Sequence, residues 1–214
     1  MYKYVLFDLD GTLTDSGEGI TNSVAYALKK FHITSADRAE LYKFIGPPLH
    51  SSFKEFYGFS DADCELAVAY YREYFKEKGI FENRVYDGIE ELLKALKENG
   101  HIIFLATSKP ETFAVKILEH FNLIQYFDFV SAATLDSTRN EKADIIQYAL
   151  NQIDQKELSS VIMVGDRKYD ILGAKQFHLA SVGVLYGFGG RAELEQAGAD
   201  FIVETPLEIV SICK

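Results

Sequence analysis

From Val85 to Lys214 the sequence alternates short apolar runs with stretches whose apolar residues recur at steps of three and four. Runs this short suit strands buried on both faces, and the helical stretches between them supply the crossovers that parallel strands require. The alternation therefore demands an α/β fold, a Rossmann-like doubly wound parallel sheet. Strands are predicted over 102–106, 127–131, 161–164, 181–186 and 201–203, and the N-terminal run Tyr4-Val5-Leu6-Phe7 reads as one more. Asp87 is expected to cap a helix carrying Ile89, Leu92, Leu93 and Leu96, which Asn99-Gly100 ends. A helix after Pro110 turns Phe113, Ile117, Leu118 and Phe121 inward, further helices cover 143–153, 170–177 and 193–197, and a last turn follows Pro206.

Residues 16–84 break the alternation: Ile20, Val24, Leu28 and Phe31, then Leu66, Ala69, Tyr70 and Tyr74, keep helical spacing with no strand between them. This block reads as a helical insert after the first strand, so the core would comprise 1–15 and 85–214, and the insert, a lid tethered at two points, 16–84. Within the insert, Ile45-Gly46-Pro47-Pro48-Leu49 must be a rigid loop, because proline fixes its own φ and keeps the preceding residue out of the helical region. A chain of 214 residues, 48% hydrophobic, is long enough to bury a core plus such a lobe.

The formal charge of −10 repels polyanions, which argues against a nucleic acid polymer as partner. Cys64 and Cys213 stand far apart, and His32, His50, His101, His120 and His178 are equally scattered, so neither a disulfide framework nor a zinc cluster is written locally. No uncharged run reaches the roughly 18 residues of a membrane span, and a cytoplasmic protein is expected. Nothing in the sequence bears on oligomeric state.

In an open parallel sheet, ligands bind off the carboxyl ends of the strands. Three apolar runs end informatively: Tyr4 to Phe7 in Asp8 with Asp10 two positions on, 102–106 in Thr107-Ser108-Lys109, and 161–164 in Gly165-Asp166. If these strands are parallel neighbours, three carboxylates meet in one crevice with a hydroxyl between them. Carboxylates so crowded repel one another unless a cation sits among them, and hard oxygen ligands favour Mg²⁺. Period-2 alternation puts Asp8 and Asp10 on one side, although Gly11 marks a chain already turning.

The segment Asp8-Leu9-Asp10-Gly11-Thr12-Leu13-Thr14 resembles the first motif of the haloacid dehalogenase-like phosphatases. Thr107 is similar to the second motif, Lys142 to the third, and Gly165-Asp166-Arg167-Lys168-Tyr169-Asp170 to the fourth, while the helical insert resembles the cap of the phosphoglycolate phosphatase-like branch. The resemblance implies a nucleophilic Asp8 that forms an aspartyl-phosphate, with Asp10 as general acid and base. It implies Mg²⁺ held by the Asp8 and Asp166 side chains and the Asp10 backbone carbonyl, with Asp170 as a further acidic ligand or support. Gly11, Thr12, Thr107, Ser108 and Lys142 would bind the phosphoryl group of a small phosphorylated metabolite. Ser108 departs from the asparagine common in this branch, which leaves its peptide N–H as the useful group.

Other activities share parts of this pattern. A 5'-nucleotidase, a pyrophosphatase or a β-phosphoglucomutase-like enzyme of the same fold would keep all four motifs, whereas a dehalogenase lacks the second aspartate. A receiver-type signalling domain also uses an acidic cluster, Mg²⁺, a threonine and a lysine, but carries its acidic pair apart from the phosphorylated aspartate and needs about half this length. The insert aromatics Tyr26, Tyr42, Phe53, Phe56, Tyr57, Tyr70 and Tyr71 could stack a nucleobase, but at helical spacing most read as lid core, and Arg72 and Lys54 are candidate contacts for a second anionic group. Gly187-Phe188-Gly189-Gly190-Arg191-Ala192 matches a dinucleotide fingerprint, with Glu204 near the place of a ribose-binding acid. It lies in the last unit of the chain, the better-formed motifs already occupy the crevice, and it reads as a structural turn.

Overall fold

A computed structural model describes residues 1–34, 37–136 and 138–214. The chain forms two compact units, one of residues 1–14 and 85–214, the other of residues 15–84. It passes between them at β2 (Thr14–Asp15) and β3 (Arg84–Val85), which pair as a two-stranded ribbon.

The first unit is built on β1 (Tyr4–Phe7), β4 (Ile102–Pro110), β5 (Phe129–Ala133), β6 (Val161–Gly165), β7 (Ala180–Val184) and β8 (Phe201–Val203). They lie in the order β5-β4-β1-β6-β7-β8, and every pair is parallel. The chain builds outward from β1 through β4 to β5, then crosses to the other side for β6. This makes β1 the switch point, and a crevice opens at its carboxyl end between β4 and β6. Crossovers run through α4 (Ile89–Glu98), α5 (Glu111–His120), α6 (Lys142–Leu150), α7 (Lys168–Gln176) and α8 (Arg191–Ala197), and α9 (Glu208–Cys213) closes the unit, the first three helices of the chain belonging to the insert.

One sheet face packs Tyr4, Leu6, Phe104, Ala106 and Met163 against Ile145, Ile146 and Ala149 of α6 and Ala174 of α7. The alternate residues Val5, Phe7, Ile103, Leu105, Ile162 and Val164 are fully buried as well. Burial on both faces explains why these strands are continuously apolar, each large side chain contributing about 1.5–3 kcal/mol.

Three local expectations are corrected. The cap of α4 is Gly88, at φ 86°, and not Asp87, because the chain enters the helix through a left-handed residue that only glycine adopts without strain. The strand predicted over 127–131 is shifted to Phe129–Ala133, since the Phe127 N–H is spent closing the turn on the Ile124 carbonyl. β4 continues four residues past the predicted end to Pro110, with a register irregularity against β5 between Thr107 and Pro110.

The second unit is helical: α1 (Gly17–Lys30), α2 (Leu49–Tyr57) and α3 (Asp61–Tyr74), with a 3₁₀ segment over Arg38–Phe44 and a π turn over Phe75–Gly79. Ile20, Val24, Ala27 and Leu28 form the buried stripe of α1. Gly19 and Gly79 let α1 and the π turn touch backbone to backbone, since a Cβ on Gly19 would overlap the Gly79 carbonyl. The aromatic residues pack largely on one another: Phe44 on Phe53 and Phe56, Phe53 stacked on Phe59, Tyr71 stacked on Phe75. Lys54 is held by Asp61 at 2.6 Å. No helix among the described residues is long and apolar enough to cross a membrane.

Candidate active site

The register of β1 sets the site. Phe7 pairs with Leu105 on one side and Val164 on the other, so the three strands end level. The Asp8 N–H still donates to the Val164 carbonyl at 2.9 Å, which fixes the first residue beyond the strand. The chain then turns sharply: Gly11 stands at φ +83°, and the Leu9 carbonyl accepts from the N–H groups of Thr12, Leu13 and Thr14. Leu9 and Leu13 are fully buried, anchoring the turn in the core.

Asp8, Asp166 and Asp170 come together with carboxylate oxygens all within 4.8 Å of one another, and all three are buried. Lys142, the first residue of α6, reaches into this group. Its ammonium lies 2.8 Å from Asp8 Oδ1 and 2.8 Å from Asp170 Oδ1, and donates to the Ala106 carbonyl at 2.9 Å, which engages all three of its protons. Asp170 sits in the first turn of α7 and accepts from the Arg167 N–H through Oδ2, so it caps its helix while facing the cluster.

Burial dominates the electrostatics. It pushes the Asp8 carboxyl up to about 6, Lys142 pulling the other way and Asp170 reinforcing the rise. Asp166 is raised well above the usual carboxylate range by burial and by the charges of Asp170 and Asp8. Burial disfavours the Lys142 cation, but Asp170 and Asp8 outweigh it and hold the ammonium above its ordinary value. One oxygen of Asp166 accepts from the Phe188 N–H at 2.7 Å, while the other is buried without a hydrogen-bond partner. An orphaned carboxylate oxygen in an all-oxygen acidic cluster is the environment a hard divalent cation satisfies.

Asp10 does not join the cluster through its side chain. Its Oδ2 lies 2.9 Å from Lys109 Nζ, a buried ion pair, and its Oδ1 is buried without a hydrogen-bond partner. With all four carboxylates ionised, Asp8, Asp10, Asp166 and Asp170 against Lys142 and Lys109 leave an excess of two negative charges, the complement of one divalent ion.

Thr107 is buried in β4 where its register with β5 breaks, with Ser108 half-buried beside it. The Thr107 Oγ1 accepts from the Lys109 N–H at 3.3 Å. Gly11 and Thr12 spend their N–H groups inside the turn, on Thr14 and Leu9, so the structure brings neither peptide donor free to the cluster; the Thr12 hydroxyl is buried and unpartnered. Lys109 is the residue that the sequence reading left unassigned. Its signal was the alternation itself, which sets it two positions from Thr107 on the buried side of β4.

The glycine-rich segment after β7 is part of the wall of this site. A Cβ on Gly187 would overlap the Gly11 carbonyl and Asp166, and one on Gly189 would overlap the Asp166 carbonyl. Its glycines admit Asp166 and the Phe188 N–H to close contact, which accounts for a spacing that resembles a dinucleotide fingerprint.

A family model described as haloacid dehalogenase-like hydrolase matches residues 5–184. The chain is 47% identical over 195 residues to a 5'-nucleotidase from Pseudomonas aeruginosa, covering 90% of this chain and 87% of that one. It is 35% identical over 209 residues to the tyrosine-protein kinase PtkA of Mycobacterium tuberculosis, covering 98% of this chain and 68% of that one. Among solved structures, a predicted phosphatase from Clostridium acetobutylicum superposes with a TM-score of 0.95 at 51% identity, covering 99% of this chain and 98% of that one.

Proposed function

The chain belongs to the haloacid dehalogenase-like hydrolase family and is a phosphatase, and on that premise we propose that it is a Mg²⁺-dependent hydrolase of small phosphomonoesters acting through an aspartyl-phosphate on Asp8. The observation that carries this reading is the buried Asp8–Lys142–Asp170–Asp166 cluster, with Asp10 held beside it yet apart.

Asp8, Asp166 and Asp170 offer the oxygens for the cation, which when bound would neutralise the phosphoryl charge facing the carboxylates. An Asp8 oxygen forms a bond to phosphorus as the bond to the leaving oxygen breaks, and Asp10 supplies the proton that the leaving oxygen takes. Water then attacks phosphorus and gives its proton back to Asp10, while the Asp8–phosphorus bond breaks and regenerates the carboxylate. Lys142 offsets negative charge at Asp8, and in this reading the Thr107 hydroxyl and Ser108 N–H hold phosphoryl oxygens. The insert, residues 15–84, serves as the cap in this reading.

For the substrate, the 47% identical nucleotidase supports a nucleoside 5'-monophosphate. The test is steady-state phosphate release from nitrophenyl phosphate with and without Mg²⁺, in the parent and in Asp8→Asn. Release is expected to need the cation and to vanish in the variant; equal rates in both proteins overturn the mechanism. A screen of nucleoside monophosphates, phosphoglycolate and pyrophosphate then decides the subclass, with at least a tenfold preference in kcat/KM for a nucleotide expected.

A further inference from the structure

We propose that Lys109 is a positioning residue for Asp10, holding that carboxylate by one oxygen so that the other stays available to the leaving group. The inference rests on the reading of Asp10 as proton donor and adds the element that sets its place.

The geometry carries it. Beyond Thr107, β4 loses register with β5 and resumes pairing only at Pro110. Past this break Lys109, a residue type that is rarely buried, keeps to the side of Thr107, with a side chain only 5% exposed and an ammonium 2.9 Å from Asp10 Oδ2. Asp10 itself projects from a turn tied down by three hydrogen bonds to the Leu9 carbonyl and by the Gly11 N–H donating to Thr14. Its Oδ1, although buried, has no hydrogen-bond partner. Backbone and lysine therefore fix the carboxylate at both ends and leave one oxygen unengaged.

The alternative place for Asp10 is the neighbouring cluster, where a divalent cation would recruit another carboxylate readily. A carboxylate bound there as a ligand cannot serve the leaving oxygen. Lys109 supplies the competing charge that keeps the two roles on separate residues, which Lys142 does not do because it is committed to Asp8 and Asp170.

Leaving-group dependence tests this without relying on titration. Nitrophenolate departs without a proton, whereas the ribose oxygen of a nucleoside monophosphate needs one. In the Mg²⁺-loaded protein, Lys109→Met is expected to lower kcat/KM for the nucleotide about a hundredfold and that for nitrophenyl phosphate less than about threefold. Lys109→Arg should recover most of the nucleotide rate. In an Asp10→Asn background, adding Lys109→Met should change the nucleotide kcat/KM less than about twofold, because both changes act through one group. Equal losses on both substrates, a rise in KM with kcat unchanged, or full additivity with Asp10→Asn overturns the proposal. Should Lys109→Met fail to fold, Lys109→Gln and Lys109→Arg decide by the same ratio. Asp8→Asn, measured alongside, separates the cases: if it abolishes turnover of both substrates the hydrolytic reading stands, and a failed leaving-group ratio counts against the role of Lys109 alone.

Discussion

At the residue scale, the two buried lysines have different meanings for the physics of the site. Lys142 is surrounded by carboxylates that burial already drives toward neutrality, so removing its charge leaves them uncompensated. Lys142→Met is therefore expected to lower unfolding free energy by about 3–5 kcal/mol in buffers free of divalent ions, read by urea titration, and to abolish phosphatase activity. Unchanged or higher stability would mean that the cluster is already neutral without the lysine. Lys142 was legible in the sequence only through its motif, because Arg139-Asn140-Glu141-Lys142 otherwise reads as a charged, solvated helix start. Lys109 was not found for the same reason: a lysine after a threonine and serine at a strand end looks like a surface residue, and only the extension of β4 turns it inward. The separation of the Asp10 side chain from the other acids was legible only through the resemblance, since alternation along β1 alone puts Asp8 and Asp10 on one side and the turn at Gly11 overrides it.

At the scale of elements, β1, buried on both faces, falls where its apolar run places it, and so does the edge strand β8, although Phe201 is exposed. Boundaries moved where a turn took a backbone group first, as at Phe127, or where glycine offered a conformation no capping side chain could match, as at Gly88. The close approach of α1 to the π turn had no periodic signal at all, since it depends on what Gly19 and Gly79 lack. Gly19→Ala improves helix propensity by about 1 kcal/mol, yet its methyl would meet the Gly79 carbonyl. Overpacking against backbone is expected to win, giving a net loss of about 1–3 kcal/mol in thermal or denaturant unfolding with helix content unchanged. A stabilised variant would show that the two segments part without cost.

At the scale of the whole molecule, stability and cation binding should be linked through pH. The Asp8 carboxyl is pushed up to about 6 in the folded protein against 3.8 for an ordinary aspartate, and Asp166 is displaced in the same direction. Between those values the folded chain keeps a proton that the unfolded chain has released, so stability falls as pH rises through the window, by on the order of 1–3 kcal/mol. Carboxylates held low, such as Asp136 at about 2 through hydrogen bonds from Thr134 and Thr138, act in the opposite sense but finish titrating below it. Without divalent ions the melting temperature should drop from about pH 4.5 to 6.5, and added Mg²⁺ should restore it at the upper end while doing little at the lower. A melting temperature that climbs across this range and ignores Mg²⁺ would contradict the assignment of the cluster. Gly11, Gly165, Gly187 and Gly189 have a wider consequence, since a Cβ at any of them would collide with Asp166, Asp170 or neighbouring backbone. That floor is closed to innovation: no mutation can hang a new recognition group there, so any drift toward other metabolites must be drafted on different surfaces while the chemistry beneath is inherited unchanged.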